Sequence, residues 1–255
     1  VTRLSAHGLE VTIAGKTVCR DLDLDLEPGQ CWGLLGVNGV GKTTLLHTLA
    51  GLRPPAAGQL LLDDAAMATL PRRHIAQQLG LLQQEDVDAF PATVLETALL
   101  GRHPYLGRWQ WETAADEARA TAALAQVGLA GLEQRRVDTL SGGERRRLAL
   151  ATLLTQDPRW FLLDEPTNHL DPHHQLSLLA LLTARVRDAG RGLLMILHDV
   201  NLATRFCDHV ILLFGEGEAR CGPVAEVLDT TTLERLYGHP MLALAGPNGP
   251  VYLPR

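Results

Sequence analysis

The segment Gly36-Val37-Asn38-Gly39-Val40-Gly41-Lys42-Thr43-Thr44 constrains this chain more than any other stretch. It fits the pattern G-x-x-x-x-G-K-[ST] in full, and its flanks are those the pattern requires. Gln30-Cys31-Trp32-Gly33-Leu34-Leu35, just before it, is an apolar run of the kind buried on both faces of a parallel sheet. After it, Leu45, Leu46, Leu49 and Leu52 share one helical face, and Gly51 and Pro54 mark the end of that helix. Glycines open backbone conformations closed to other residues, so successive N–H groups turn inward and line an anion site at a helix N-terminus. Lys42 is then placed to reach the β- and γ-phosphates of a nucleoside triphosphate, and the Thr43 hydroxyl to bind Mg²⁺.

A strand, loop and helix in that order ask for an α/β fold, and the rest of the chain supplies one. From 9 to 26 the sequence alternates with period two around a turn at Ala14-Gly15-Lys16, which predicts two half-buried strands closed by Pro28-Gly29. Apolar runs return at 160–163, 192–197 and 209–214, with a Leu-rich helical pattern over 172–188 between the first two. Strands separated by helices predict a parallel sheet covered on both faces. Between about 91 and 156 the patterns are helical, most clearly over 112–127, which ends at Gly128. The chain of 255 residues thus reads as a βα core interrupted by a helical insertion.

Composition removes other classes. With 23 Lys+Arg against 29 Asp+Glu the net charge is −6, so the chain as a whole is not expected to bind nucleic acid or an anionic lipid surface; a local basic patch stays open. No apolar run approaches the roughly 18 residues of a membrane span. Residues 1–8 lack the pattern of a secretory signal. Cys19, Cys31, Cys207 and Cys221 show no metal-site spacing and read as small buried hydrophobes in a reducing compartment.

A second chemical element is Trp160-Phe161-Leu162-Leu163-Asp164-Glu165, an apolar strand ending in two carboxylates. Ligands of open parallel sheets lie at the carboxyl ends of the strands, so these acids and the phosphate loop should converge. Asp164 is the natural partner of the metal, and Glu165 lies beyond it to orient or deprotonate the water that attacks the γ-phosphate. A third is Leu140-Ser141-Gly142-Gly143-Glu144, followed by Arg145-Arg146-Arg147-Leu148-Ala149. Taken alone it is a helix capped by Ser141 with a basic solvent face.

With these three motifs in this order, the chain resembles the ATP-binding cassette family over nearly its whole length. Residues 36–44 match that family's Walker A motif, Leu162 to Glu165 the end of its Walker B, and Leu140 to Glu144 its signature. The resemblance implies a P-loop NTPase (RecA-like) core with an antiparallel β subdomain and a helical insertion: 1–84 and 158–255 for the core, 85–157 for the helical subdomain. It further implies that Gln84, favoured over its neighbour Gln83, is the Q-loop glutamine that touches Mg²⁺ and water. Thr167-Asn168-His169-Leu170-Asp171 resembles the D-loop, with Asp171 facing a second subunit, and His198 resembles the switch histidine that contacts the γ-phosphate. The family works as a head-to-tail pair, in which Ser141, Gly142 and Gly143 of one chain cap the ATP held by the other. Two departures stand out: Ile13 occupies the place of an aromatic residue that stacks on adenine, and Val37 and Val40 replace common Pro and Ala.

The segment Gly101-Arg102-His103-Pro104-Tyr105, with Trp109 and Trp111 after it, resembles a stretch of cassettes that serve importers of ferric siderophores, haem and cobalamin. In the family this region lies beside the groove that receives the permease. The resemblance implies a cytoplasmic protein on the inner face of the membrane, partnered by a second copy of itself and integral permease subunits. It implies an indirect partnership with a periplasmic or surface binding protein, and no nucleic acid. An exporter ATPase and a non-transport cassette protein are the alternatives.

Overall fold

Ten residues of alternating polarity open the fold. β1 (Leu4–Ile13) and β2 (Lys16–Leu26) pair antiparallel, joined by a tight turn in which Ala14 and Gly15 both take positive φ, 49° and 78°. Left-handed backbone at both central turn positions matches the twist of the flanking strands. In the computed structural model, residues 3–84, 91–168, 170–246 and 249–255 are described. Positions 85–90 of the expected helical subdomain and His169 of the D-loop-like segment lie outside them.

The chain continues through β3 (Cys31–Gly36), α1 (Lys42–Leu49), β4 (Ala57–Leu62), β5 (Ala65–Ala66), α2 (Arg72–Gln78) and β6 (Leu79–Leu82). Three helices follow: α3 (Val94–Leu99), α4 (Ala114–Gln126) and α5 (Gly142–Gln156). The chain then returns to β7 (Trp160–Leu163), α6 (Pro172–Ala189), β8 (Gly192–Ile196), α7 (Val200–Phe206), β9 (His209–Gly215) and β10 (Glu218–Pro223). It closes with α8 (Val224–Val227), α9 (Thr230–Tyr237) and a hairpin of β11 (Met241–Gly246) and β12 (Gly249–Pro254). Among the described residues one sheet has the order β2-β1-β4-β5, a second the order β10-β9-β3-β8-β7-β6, parallel from β9 to β6, and β11 and β12 form a third.

The central strands read as unbroken apolar runs because each one serves two cores. Along β3, Cys31 and Leu35 face the helices while Trp32 and Leu34 face the antiparallel sheet and α1. Phe161 and Leu163 of β7 likewise face the first core, and Trp160 and Leu162 the second. Period two persists, but both phases are apolar since neither face meets water.

The helical stretch owes its helix starts to three capping boxes: Thr93 with Glu96, Thr113 with Asp116, and Ser141 with Glu144. In each, the hydroxyl accepts from the N3 amide while the N3 carboxylate accepts from the cap amide, so two orphan donors are satisfied. Gly101 is required by packing, because a Cβ there would stand 2.2 Å from the Thr152 carbonyl of α5.

Some boundaries differ from the sequence expectation. α1 stops at Leu49, not Leu52, because Gly51 turns left-handed at φ 70°. β6 and the closing hairpin were not anticipated; a four-residue edge strand carries too little periodicity to separate from a loop.

Candidate active site

The phosphate loop connects the buried β3 to α1. Gly39 and Gly41 adopt positive φ, 76° and 110°, and at Gly41 a Cβ would lie 2.5 Å from Val18 Cγ2, so this position accepts only glycine. α1 starts from Gly41 with no side-chain cap, which leaves its first N–H groups aimed into the loop. Lys42 folds back over that loop: Nζ donates to the carbonyls of Gly36 at 2.8 Å and Val37 at 3.1 Å. Burial pushes its pKa down, while the charges of Glu165 and Asp164 oppose that shift.

Asn38, Gly39, Lys42, Thr43 and Thr44 line one side of an open cleft of about 440 Å³, and Gln84, Glu165 and His198 the other. Ile13 is part of the same wall. The tertiary structure therefore brings together four segments that the sequence keeps far apart, at the carboxyl ends of β3, β6, β7 and β8.

Glu165 is the centre of this cluster. It sits just past β7 in a left-handed conformation, φ 49°, nearly buried. His198 Nε2 lies 2.6 Å from Oε1; Gln84 Nε2 donates to Oε2 at 2.9 Å, and the Asn168 amide donates to the same oxygen. A carboxylate offers about four acceptor positions, so these three contacts leave room for one more donor, such as a water. Asn168 is a participant the sequence reading did not single out beyond its place in the D-loop-like segment.

Asp164 is fully buried, and neither of its carboxylate oxygens has a protein hydrogen-bond partner at normal geometry. Burial raises its pKa; the Thr43 hydroxyl favours the charged form, and the charge of Glu165 disfavours it. A buried carboxylate in this condition is costly unless a cation or water completes it.

Arg146, in the run that taken alone reads as a basic solvent face on α5, is buried. Its guanidinium crosses to the core and donates to the carbonyls of Gln83 at 2.5 Å, Asp164 at 2.5 Å and Glu165 at 2.8 Å. Helical periodicity turns Arg146 inward between the exposed Arg145 and the half-buried Arg147, and the carbonyls at the ends of β6 and β7 supply its partners.

Two predicted groups stay outside the cleft. Ser141 and Gly142 are exposed at the start of α5, and none of Ser141, Gly142, Gly143 and Asp171 lines the pocket around Lys42. Asp171 caps α6, accepting from the His174 amide at 3.0 Å and contacting His174 Nδ1 at 2.7 Å, which holds its pKa below the ordinary carboxylate range.

The sequence profile of the family described as "ABC transporter" matches residues 19–168, over half of the chain. The chain belongs to that family. Among relatives of this ABC protein, the hemin import ATP-binding protein HmuV of Bordetella pertussis is 39% identical over 255 residues, covering 97% of this chain and 96% of its own. The ferric enterobactin transport ATP-binding protein FepC of Escherichia coli K12 is 36% identical over 241 residues, with 93% and 88% covered. In fold, this ABC protein is similar to a metal-chelate type ABC transporter in an inward-facing conformation: TM-score 0.87, 25% identity, 100% of this chain and 98% of that one. The ATP-binding cassette MJ0796 bound to ADP and Pi, a dimeric structure, shares the fold with TM-score 0.76 and 24% identity over 87% of this chain and 98% of that one.

Proposed function

We propose that this protein is the ATP-hydrolysing subunit of an importer of metal chelates, of the haem, ferric siderophore or cobalamin type, and that it powers a separate membrane permease. The observation that carries the hydrolytic part is Glu165, held by Gln84, Asn168 and His198 across the cleft from the phosphate loop. In this reading the loop N–H groups and Lys42 hold the triphosphate, and Glu165 accepts the proton of the attacking water. His198 then turns from Glu165 toward the γ-phosphate. The cargo class rests on the likeness to the haem and ferric-siderophore import proteins.

The residues present suit a divalent cation. The unpartnered buried oxygens of Asp164, beside the Thr43 hydroxyl, are the hard oxygen donors that Mg²⁺ takes. Gln84 commits its amide nitrogen to Glu165, so its carbonyl oxygen is the atom left for the cation. Bound there, Mg²⁺ neutralises charge on the β- and γ-phosphates.

The exposed Ser141 and Gly142 and the half-buried Gly143, none of which lines the cleft of their own chain, are read as the cap over ATP held by a second copy, with Asp171 at the same interface. We divide the protein accordingly into a nucleotide core, 1–84 and 158–255, and a helical part, 85–157. We place it on the inner face of the membrane, served indirectly by a substrate-binding protein.

The test has two arms. Glu165→Gln should keep ATP affinity within a few fold, lower turnover by about 100-fold or more and accumulate an ATP-bound dimer, measured by equilibrium binding and gel filtration. Ser141→Arg should leave binding by the monomer intact and stop hydrolysis; an unchanged rate refutes capping by the partner. Reconstitution with the permease and binding protein should then show ATP-dependent movement of chelate from the side of the binding protein to the side that carries the cassette, whereas movement in the reverse direction would assign an exporter.

A further inference from the structure

The helices that begin at Ser141 and Asp171 belong to different parts of the chain, and one imidazole joins them. Asp171 Oδ1 accepts the His174 amide at 3.0 Å, and Oδ2 lies 2.7 Å from His174 Nδ1. At the other edge of the same ring, Nε2 stands 3.5 Å from Arg147 Nη1 of α5. These partners leave the ring one tautomer. An ionised carboxylate can only accept, so the hydrogen is on Nδ1; a guanidinium can only donate, so Nε2 keeps its lone pair. The imidazole is therefore a bridge that donates at the start of α6 and accepts from α5.

Both ends of the bridge are held in place. Gln175, the next residue of α6, donates from Nε2 to the carbonyls of Thr167 at 3.2 Å and Leu170 at 3.0 Å, which folds the segment before Asp171 onto the helix. Arg147 passes over Gly128 at the end of α4, where a Cβ would stand 3.3 Å from Nη1. Glu144, one turn back along α5, takes Arg135 as its ion-pair partner at 3.2 Å, which leaves Arg147 for the imidazole. Arg147 and His174 line a cavity of about 180 Å³ together with Val127, Leu150, Leu170 and Leu178. Against such apolar walls water competes less for a polar contact. Adjacent arginines of one helix thus point to different places: Arg146 to the carbonyls of Gln83, Asp164 and Glu165 at the cleft, Arg147 to the ring that holds Asp171.

We propose that His174 is a positioning residue which, through Arg147 and Asp171, sets the spacing between α5 and the segment before α6, so that Ser141 and Asp171 meet the second copy as one preassembled surface. The inference rests on the reading of Ser141, Gly142 and Gly143 as the cap over the partner's ATP. It adds to that reading two residues that do not line the nucleotide cleft. A surface whose parts are already in register has less order to gain when the dimer closes, and closes more tightly for it.

The test is a double-mutant cycle, read as dimerisation in ATP by analytical ultracentrifugation in a Glu165→Gln background. Monomer affinity for ATP should stay within about twofold in every variant, since neither residue reaches the cleft. His174→Ala and Arg147→Ala should each weaken the dimer about fivefold to tenfold, and the double variant no further, because either change breaks the same bridge. His174→Gln, whose side-chain carbonyl can still accept from Arg147, should return to within about twofold of the parent. The His174 side chain is 43% exposed, so its variants keep the fold, as equal thermal midpoints will show. If Arg147→Ala lowers the midpoint, Arg147→Met, which keeps the packing over Gly128, takes its place in the cycle. Losses that multiply in the double variant, or an unweakened dimer in His174→Ala, overturn the proposal. Ser141→Arg is measured beside them: if it abolishes the dimer while His174→Ala does not weaken it, the bridge alone fails, and if it too leaves the dimer intact, the capping reading fails.

Discussion

Arg146 Nη2 donates to the main-chain carbonyl of Glu165 over 2.8 Å, so a side chain of the signature helix holds the backbone bend that aims the central carboxylate. The same guanidinium grips Gln83 and Asp164. The end of β6, the end of β7 and α5 are thereby fixed to one another through one charged group. A movement of α5 is transmitted to Gln84 and Glu165 together.

Removing that group should be costly. Arg146→Ala strips charge-assisted donors from three carbonyls and opens a buried space, so unfolding free energy should fall by about 3 kcal/mol in urea denaturation. Turnover should fall at least tenfold at saturating ATP. Arg146→Lys, which cannot span all three acceptors, should recover only part of either loss.

Asn168 holds the same carboxylate oxygen as Gln84. Asn168→Ala should lower turnover about fivefold to tenfold while ATP affinity changes less than twofold, since no phosphate contact is lost. A rise in the binding constant with unchanged turnover would reassign Asn168 to the nucleotide.

Ile13 sits in the wall of the cleft where the family places an aromatic ring. A stacked ring is worth about 0.5–1.5 kcal/mol beyond its area. Ile13→Tyr should therefore tighten ATP binding by about twofold to tenfold and increase the preference for purine over pyrimidine triphosphates, as read by competition with CTP.

Acid stability depends on Asp116. The Thr113 amide, then its hydroxyl and the Arg102 guanidinium, hold its carboxyl down at about 2. A carboxyl depressed in the folded state stabilises above its unfolded pKa, and that contribution disappears as pH falls from about 4 toward 2. Asp116→Asn should cost about 1 kcal/mol at pH 7, a figure reduced for solvent screening, and the difference from the parent should vanish near pH 2 in thermal melts.

Local chemistry was legible wherever one contiguous segment carries it. Nine consecutive residues specify the phosphate loop, because a turn of inward N–H groups is built from neighbours. Period two exposes the strands of the sheet for the same reason, and Ser141 three residues before Glu144 marks a helix start. Arg146 was not legible: its neighbours Arg145 and Arg147 make a basic helix face the natural reading, and its burial depends on carbonyls 18 and 63 positions away.

The sequence by itself determined the phosphate loop, the two-faced sheet and the acids at the strand end, all of which follow from spacing along the chain. Only the tertiary structure decided that Gln84, Asn168 and His198 meet at Glu165, that Arg146 ties the signature helix to them, and that Ser141 stands apart. Hydrogen bonds act over about 3 Å in space whatever the separation in sequence, so a carboxylate and a glutamine 81 residues apart become partners only when β6 and β7 lie side by side.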